Sequence, residues 1–310
     1  MPMARAMFVS IALAAAAQIL PIVVPLDKPK QIERPRAPIE ISGPQYAAMC
    51  KDWDEYDKPA PPVRIHGNTF LVGTCGISSI LIAGSEGDIL IDGGTEADAD
   101  LIAANIRKLG FALTDVKILL HSHEHHDHVG GLAKLQRMTG AELIASPAAA
   151  GVLNSGAPGQ GDPQAAIDKP FPAAHVDRVV SDGEQVRLGN LVVTAIATPG
   201  HTPGALSWHW GSCDGGVCRQ IVYADSLTPI SSDKYRFSDH PAYVAAYRSS
   251  IAKVAALDCD ILLTPHPSAS HMLQRLGRGR QLEEPNGCRD YSAELVKALD
   301  QRLAKEAAGK

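Results

Sequence analysis

The sequence predicts an α/β protein in which two sheets pack face to face with helices on the outer faces. Short β-type runs and helical stretches follow one another in two comparable batches, one in each half of the chain. Val116 to Leu120 forms an apolar run bounded by polar residues, which suits a strand covered on both sides. At 310 residues, with 45% hydrophobic and 20% charged side chains, the chain can bury a large core. No internal repeat is evident.

The first batch opens with β-type runs at Thr69–Val72, Ser78–Ala83 and Asp88–Ile91, the last two separated by Gly-Ser-Glu-Gly. Ile102, Ile106 and Leu109 then recur at helical spacing, and Gly110 is placed to end that helix. The Val116–Leu120 strand follows, then a polar stretch, Gly130-Gly131 and a helix from Leu132 to Met138. In the second batch Gln185–Leu188, Leu191–Ala197, Leu206–Trp210 and Gln220–Ala224 read as strands. Pro241–Leu257 reads as a helix with proline in its first turn, Ile261–Leu263 as a strand and Ser292–Ala308 as a closing helix.

Arg5 ahead of the apolar run Ala6–Leu20, with the small residues Ala15 to Ala17, has the form of an export signal, assigned here to residues 1–20. Pro21 and Pro25 interrupt the run before it reaches a comfortable membrane span, although an uncleaved anchor is the competing reading. Residues 21–38 are expected to be a flexible arm and residues 39–310 the folded domain. Six cysteines suit an oxidising compartment such as the periplasm. Cys213 and Cys218 flank Asp214-Gly215-Gly216 between two strand-like runs, so they are expected to face each other across a hairpin. The other pairings are open from sequence. A Cys₄ zinc site is disfavoured because no Cys-x-x-Cys occurs. The net charge of −5 and the lack of basic runs give no reason to expect nucleic acid or an anionic membrane as partner. A small molecule is the expected partner, and a monomer the expected state.

Five of the 12 histidines fall between His121 and His128. Catalytic zinc takes imidazole nitrogens and carboxylate oxygens and leaves a position for water. His123, His125, Asp127 and His128 offer such ligands on a loop between a strand and a helix, where active sites concentrate. His201, in Thr-Pro-Gly-His-Thr-Pro-Gly, and His266, in Leu-Thr-Pro-His-Pro, each stand just beyond a strand. Either alone reads as a surface histidine. With the cluster they read as further ligands.

The run His123-Glu124-His125-His126-Asp127-His128 resembles the His-x-His-x-Asp-His motif of the metallo-β-lactamase superfamily, with its later histidines at His201 and His266. The resemblance spans about Ile65 to His266 and implies an αββα sandwich, in agreement with the element order. It implies one zinc held by His123, His125 and His201 and a second held by Asp127, His128 and His266. Asp92, in Ile-Asp-Gly-Gly, matches the family's aspartate that supports these ligands. Within the family the chain is similar to subclass B3 β-lactamases. Histidine fills every B3 ligand position, Ala224-Asp225-Ser226-Leu227 stands where subclass B1 carries a cysteine ligand, and Thr-Pro-His-Pro-Ser-Ala-Ser matches the B3 C-terminal region. Disulfides Cys50/Cys75, Cys213/Cys218 and Cys259/Cys288 are implied by the same likeness.

The implied chemistry is hydrolysis of the β-lactam amide of penicillins, cephalosporins and carbapenems by water activated between two zinc ions, without a protein nucleophile. Asp127 would bind zinc and orient that water. Ser226 and Thr228 would bind the substrate carboxylate. His126 and Glu124 are expected to point away from the metals, one toward substrate or solvent and the other toward a neighbouring side chain. His121 is expected to support the strand end, and His66, His175, His209, His240 and His271 to be structural. Two alternatives remain. A glyoxalase II-like thioesterase or lactonase would have Asp225 bridging the metals instead of Ser226 facing them, since strand neighbours face opposite sides. A non-catalytic periplasmic zinc-binding protein would have no open water position. Preference among β-lactams is expected to depend on the loops at Gly151–Phe171 and Ser231–Phe237.

Overall fold

The computed structural model describes residues 41–51, 56–278 and 282–309, and the expected signal and arm lie outside these. One mixed sheet is built in chain order from β1 (Val63–His66), β2 (Thr69–Leu71), β3 (Ile80–Ala83), β4 (Asp88–Ile91), β5 (Val116–Leu120), β6 (Glu142–Ala145) and β7 (Arg178–Val179). β4 to β7 run parallel, and the earlier strands form an antiparallel meander. The second sheet holds β8 (Gln185–Leu188), β9 (Leu191–Ala197), β10 (Leu206–Asp214), β11 (Val217–Tyr223) and β12 (Ile261–Leu263), in the order β12-β11-β10-β9-β8. Its strands are antiparallel except for the parallel pair β11 and β12. The helices are α1 (Gly43–Met49), α2 (Ala99–Lys108), α3 (His126–Val129), α4 (Leu132–Thr139), α5 (Pro147–Ser155), α6 (Pro241–Ala255), α7 (Met272–Gly277) and α8 (Gly287–Ala307).

Strand alternation explains how the first sheet is buried on both faces. Ile80, Ile82, Ile89, Ile91 and Leu120 point inward to meet Val193, Trp208, Trp210, Ile221 and Tyr223 of the second sheet. The intervening Leu81, Leu90 and Leu119 point outward and are covered by Ile102 and Ile106 of α2 and Leu132 and Leu135 of α4. On the far side Val222 and Leu262 pack under Tyr247, Ile251 and Val254 of α6 and Leu295 and Leu299 of α8. Two opposed sheets between helical layers make the expected αββα sandwich. Burying each of these large side chains contributes about 1.5–3 kcal/mol, so the core fixes the strand ends that carry the polar loops.

Several boundaries differ from the sequence reading. Lys117 is exposed, so β5 is not apolar throughout. The β10–β11 hairpin runs to Asp214 and Val217 around Gly215 and Gly216, whose φ values of 55° and 88° suit a two-residue turn. Cys213 and Cys218 are then direct cross-strand partners. Helix α8 starts at Gly287 rather than Ser292, with Cys288 already buried and bonded to Cys259. The stretch expected to be loop from Gly151 is helical through Ser155, because Ser146 caps α5 by accepting the Ala149 N–H and Pro147 opens it. Strands β6 and β7 and helix α1 had no sequence signal of comparable strength. Among the described residues no helix is long and apolar enough to cross a membrane.

Candidate metal centre

Five strand ends converge on one edge of the sandwich. Asp92 follows β4, the histidine motif follows β5, His201 follows β9, Asp225 and Ser226 follow β11, and His266 follows β12. The first two loops interlock tightly. Gly93 N–H donates to His128 O at 2.8 Å and Gly131 N–H to Gly94 O at 3.0 Å. A Cβ at Gly131 would lie 2.1 Å from Gly93 O, so only glycine permits this approach. Trp208, buried between the sheets, donates from its indole to His121 O at 2.8 Å and pins the end of β5.

The expected ligands come together in two adjoining sets. His123, His125 and His201 each present a nitrogen, all within 4.8 Å of one another. In the other set His128 Nε2 and His266 Nε2 lie 3.2 Å apart, and Asp127 Oδ2 stands 3.5 Å from the former and 3.6 Å from the latter. Ligand atoms about 2.0–2.1 Å from one tetrahedral zinc are separated by about 3.3 Å, so this spacing fits a shared ion. His123 Nε2 is buried without a hydrogen-bond partner among the described residues, as a nitrogen reserved for a metal would be. The two sets touch, since His123 also lies within 4.8 Å of Asp127 and His128.

Four of the five imidazoles give their other nitrogen to a protein group at hydrogen-bond distance, which fixes the ring orientation. His123 Nδ1 meets Asp225 Oδ1 at 2.8 Å, His125 Nε2 meets Asp162 Oδ2 at 3.0 Å and His201 Nδ1 meets Thr228 O at 2.9 Å. His128 Nδ1 faces Asp92 Oδ2 at 3.6 Å and His266 Nδ1 faces Gly76 O at 3.3 Å. Asp92, fully buried with φ at 64°, accepts from Ser122 N, Ser122 Oγ and the Tyr223 hydroxyl at 2.6–2.7 Å.

The electrostatics favour metal over proton at most of these positions. Burial, followed by the neighbouring His125, pushes His201 down to about 3, and burial with His128 pushes His266 down to about 4. Burial raises Asp127, but the surrounding histidines outweigh it and hold the carboxyl at about 2. His125 and His128 are the exceptions. Burial lowers both, yet the hydrogen bond and charge of Asp162 lift His125 to about 9, and Asp127 together with Asp92 raises His128, so metal binding at His125 displaces a proton.

Residues 72–266 match the family model of the metallo-beta-lactamase superfamily. The chain belongs to that superfamily. As such it is a hydrolase, and its histidine-rich clusters could hold a metal ion. The solved MIM-2 metallo-beta-lactamase is similar to it at 55% identity and a TM-score of 0.82, over 86% of this chain and 98% of that one. MEM-A1, a subclass B3 metallo-beta-lactamase isolated from a soil metagenome library, is 44% identical with a TM-score of 0.80, over 83% and 100% of the two chains. A hydroxyacylglutathione hydrolase of Bradyrhizobium sp. (strain ORS 278) is 33% identical over 144 residues, 46% of each chain. The chain thus spans about half the length of the curated relatives it matches.

Beside this metallo-β-lactamase centre opens a cavity of about 590 Å³, lined by Tyr56, His126, Gln164, Ile167, Ser226 and Ile230 among others. The Ser226 hydroxyl is buried against it with no partner among the described residues, whereas Thr228 Oγ1 is shared with His201 Nδ1 at 3.1 Å. Asp225 does not line the cavity. The premise that strand alternation would choose between Asp225 and Ser226 does not hold, because β11 ends at Tyr223 and Leu227 turns to a φ of 44°. Both residues take part, Asp225 behind His123 and Ser226 at the cavity. Glu124 turns away to Thr202 Oγ1 and Gly204 N, and His126 meets Asp168 Oδ1 at 2.6 Å while lining the cavity. His121 Nε2 accepts the Ser146 N–H, His66 meets Val217 O, and His240 stacks on Tyr235. Three disulfides join the expected partners, Cys50–Cys75, Cys213–Cys218 and Cys259–Cys288. Sequence reasoning missed Asp162, Asp168, Gln164 and Tyr223, none of which stands in a recognisable motif.

Proposed function

We propose that this protein is an exported, dinuclear zinc enzyme of the B3 type that opens the β-lactam ring of penicillins, cephalosporins and carbapenems. The observation that carries the reading is the pairing of two adjoining ligand sets with a cavity into which the free Ser226 hydroxyl is buried. The near-complete overlap with a solved metallo-beta-lactamase at 55% identity supports it. His123, His125 and His201 would hold one zinc, and Asp127, His128 and His266 the other. Bound zinc supplies Lewis acidity and lowers the pKa of water into the neutral range.

The chain's own groups do the rest. Asp127, held ionised by the histidines around it, is an acceptor that can orient a water proton. Ser226 can donate to the substrate carboxylate, which binding and reaction both retain. Thr228, engaged with His201, contributes by fixing that ring as well as by facing the cavity. The three disulfides support a periplasmic location. A glyoxalase II-like thioesterase is the second reading, favoured by the curated relatives. It would need Asp225 between the metals, a position at odds with its hydrogen bond to His123 Nδ1. The deciding experiment is hydrolysis of a carbapenem, a cephalosporin and a thioester by the purified protein, with and without chelator. Chelator-sensitive turnover of β-lactams is expected, and thioester turnover alone would replace this reading with the second.

A further inference from the structure

One loop lays two carboxylates on two neighbouring histidines of the motif. After α5 the chain runs from Gly156 to Phe171 along one wall of the cavity. Asp162, only 4% exposed, accepts from His125 Nε2 through Oδ2 at 3.0 Å and from the Gln164 N–H through Oδ1 at 2.7 Å. Asp168 accepts from His126 Nδ1 at 2.6 Å and from the His126 N–H at 3.4 Å. Gln164, between them, reaches His201 Nε2 with its amide at 3.2 Å. The opposite wall joins through the Ser232 N–H, which donates to Pro163 O at 2.9 Å.

What the loop lacks is a large apolar anchor. Between Ala157 and Pro170 the buried side chains are those of Asp162, Pro163 and Asp168, and Ile167, its one large aliphatic, is 55% exposed. A segment with few buried apolar contacts opens at low cost. Its position therefore depends on the polar contacts to the histidines.

We propose that metal occupancy at His125 and the docking of this cavity wall form one coupled equilibrium, with Asp162 as the positioning residue that couples them and Asp168 docking the loop through a histidine that binds no metal. The proposal rests on the reading of His125 as a metal ligand. Asp162 occupies Nε2, so the metal would take Nδ1, and a cation there makes the Nε2–H a stronger donor to the carboxylate. The contact that orients the ligand is thus strengthened by metal and holds the wall. Linkage makes the effect reciprocal: a small molecule that fills the cavity and favours the docked wall raises metal affinity by the same factor.

The test pairs hydrogen exchange with zinc competition against a chromophoric chelator, in wild type, Asp162→Ala, Asp162→Asn and Asp168→Ala. In wild type the Ala165 and Asp168 amides, which donate to Asp162 O and Gln164 O, should exchange about tenfold more slowly with zinc than without it, a usual scale for such coupling. Asp162→Ala should abolish that difference and weaken zinc by about 10–100-fold, with exchange in α8 unchanged as the check on folding. Asp162→Asn, which keeps an acceptor, should recover part of both. Asp168→Ala should speed exchange in both states and raise KM and, by the same linkage, weaken zinc, but by less than Asp162→Ala does and with the zinc-dependent difference in exchange retained. The coupling is overturned if Asp162→Ala keeps both zinc affinity and zinc-dependent protection, or if Asp168→Ala loses as much affinity as Asp162→Ala. A wild type that binds no zinc would overturn the metal reading beneath it.

Discussion

Asp225 lies behind His123, its Oδ1 2.8 Å from the ring's Nδ1, with both side chains fully buried. The Asp225 and Ser226 carbonyls both accept the Tyr291 hydroxyl, so the segment that places this carboxylate is itself fixed from α8. In the proposed reading Asp225 orients a ligand without being one.

Asp225→Ala should leave His123 unoriented and weaken zinc at that site by about 10–100-fold, the usual cost of losing such a partner. Competition with a chromophoric chelator measures it. A bridging Asp225 would behave differently, because its loss would remove a ligand from both sets and abolish the second ion's binding too.

Asp127→Asn separates catalysis from storage. The change removes a charge and an orienting acceptor from a centre where neighbouring histidines hold the carboxyl at about 2. Turnover of a carbapenem should fall about 100–1,000-fold, or about 3–4 kcal/mol, in protein shown by metal analysis to retain both ions. Turnover within threefold of wild type would mean that the water is oriented by another group.

Much of this centre was legible in the sequence because its ligands cluster within eight residues or follow strands with strong apolar signatures. The strands read well wherever a run such as Asp88–Ile91 is buried on both faces. What could not be read is the support. Asp162 and Asp168 stand in a stretch without periodicity, and their importance comes only from the chain folding back over His125 and His126. Tyr223 looked like any strand tyrosine until its hydroxyl met Asp92 across the two sheets. Helix α5 was missed for a related reason: alanines and glycine in Pro147–Ser155 give a weak amphipathic pattern, and the Ser146 cap decides its start. The strand-alternation premise behind the choice between Asp225 and Ser226 failed on a local cause, the end of β11 before either residue.

Ser226→Ala should chiefly raise KM. A hydrogen bond from the buried hydroxyl to a substrate carboxylate is made in the ground state and the transition state alike, so its loss leaves kcat nearly unchanged. Hydrogen bonds to charged groups contribute about 1.5–3 kcal/mol, which corresponds to a rise in KM of about 10–100-fold. A fall in kcat with KM unchanged would move Ser226 from substrate binding into the reacting centre.

The loop on the opposite wall is held by Glu306, near the end of α8, and its stability should carry a pH signature. Glu306, 4% exposed, accepts from Phe237 N at 3.1 Å, Ser238 N at 2.8 Å and Arg302 Nε at 2.7 Å. Burial alone would raise its pKa, but Arg302 and these amides outweigh it and hold the carboxyl below the usual range. The folded protein therefore binds the Glu306 proton less readily than the unfolded chain does. Its contribution is fully present above the unfolded value of about 4.3 and is lost as pH falls through the lower folded value. Glu306→Gln should destabilise the protein by about 1–3 kcal/mol at pH 7, and the gap to wild type should narrow as pH drops below about 4.3. Urea midpoints on metal-stripped protein at pH 7 and pH 3 would measure this without interference from zinc loss in acid. A gap that stays constant between those two values would show that the glutamate acts through packing and not through its charge.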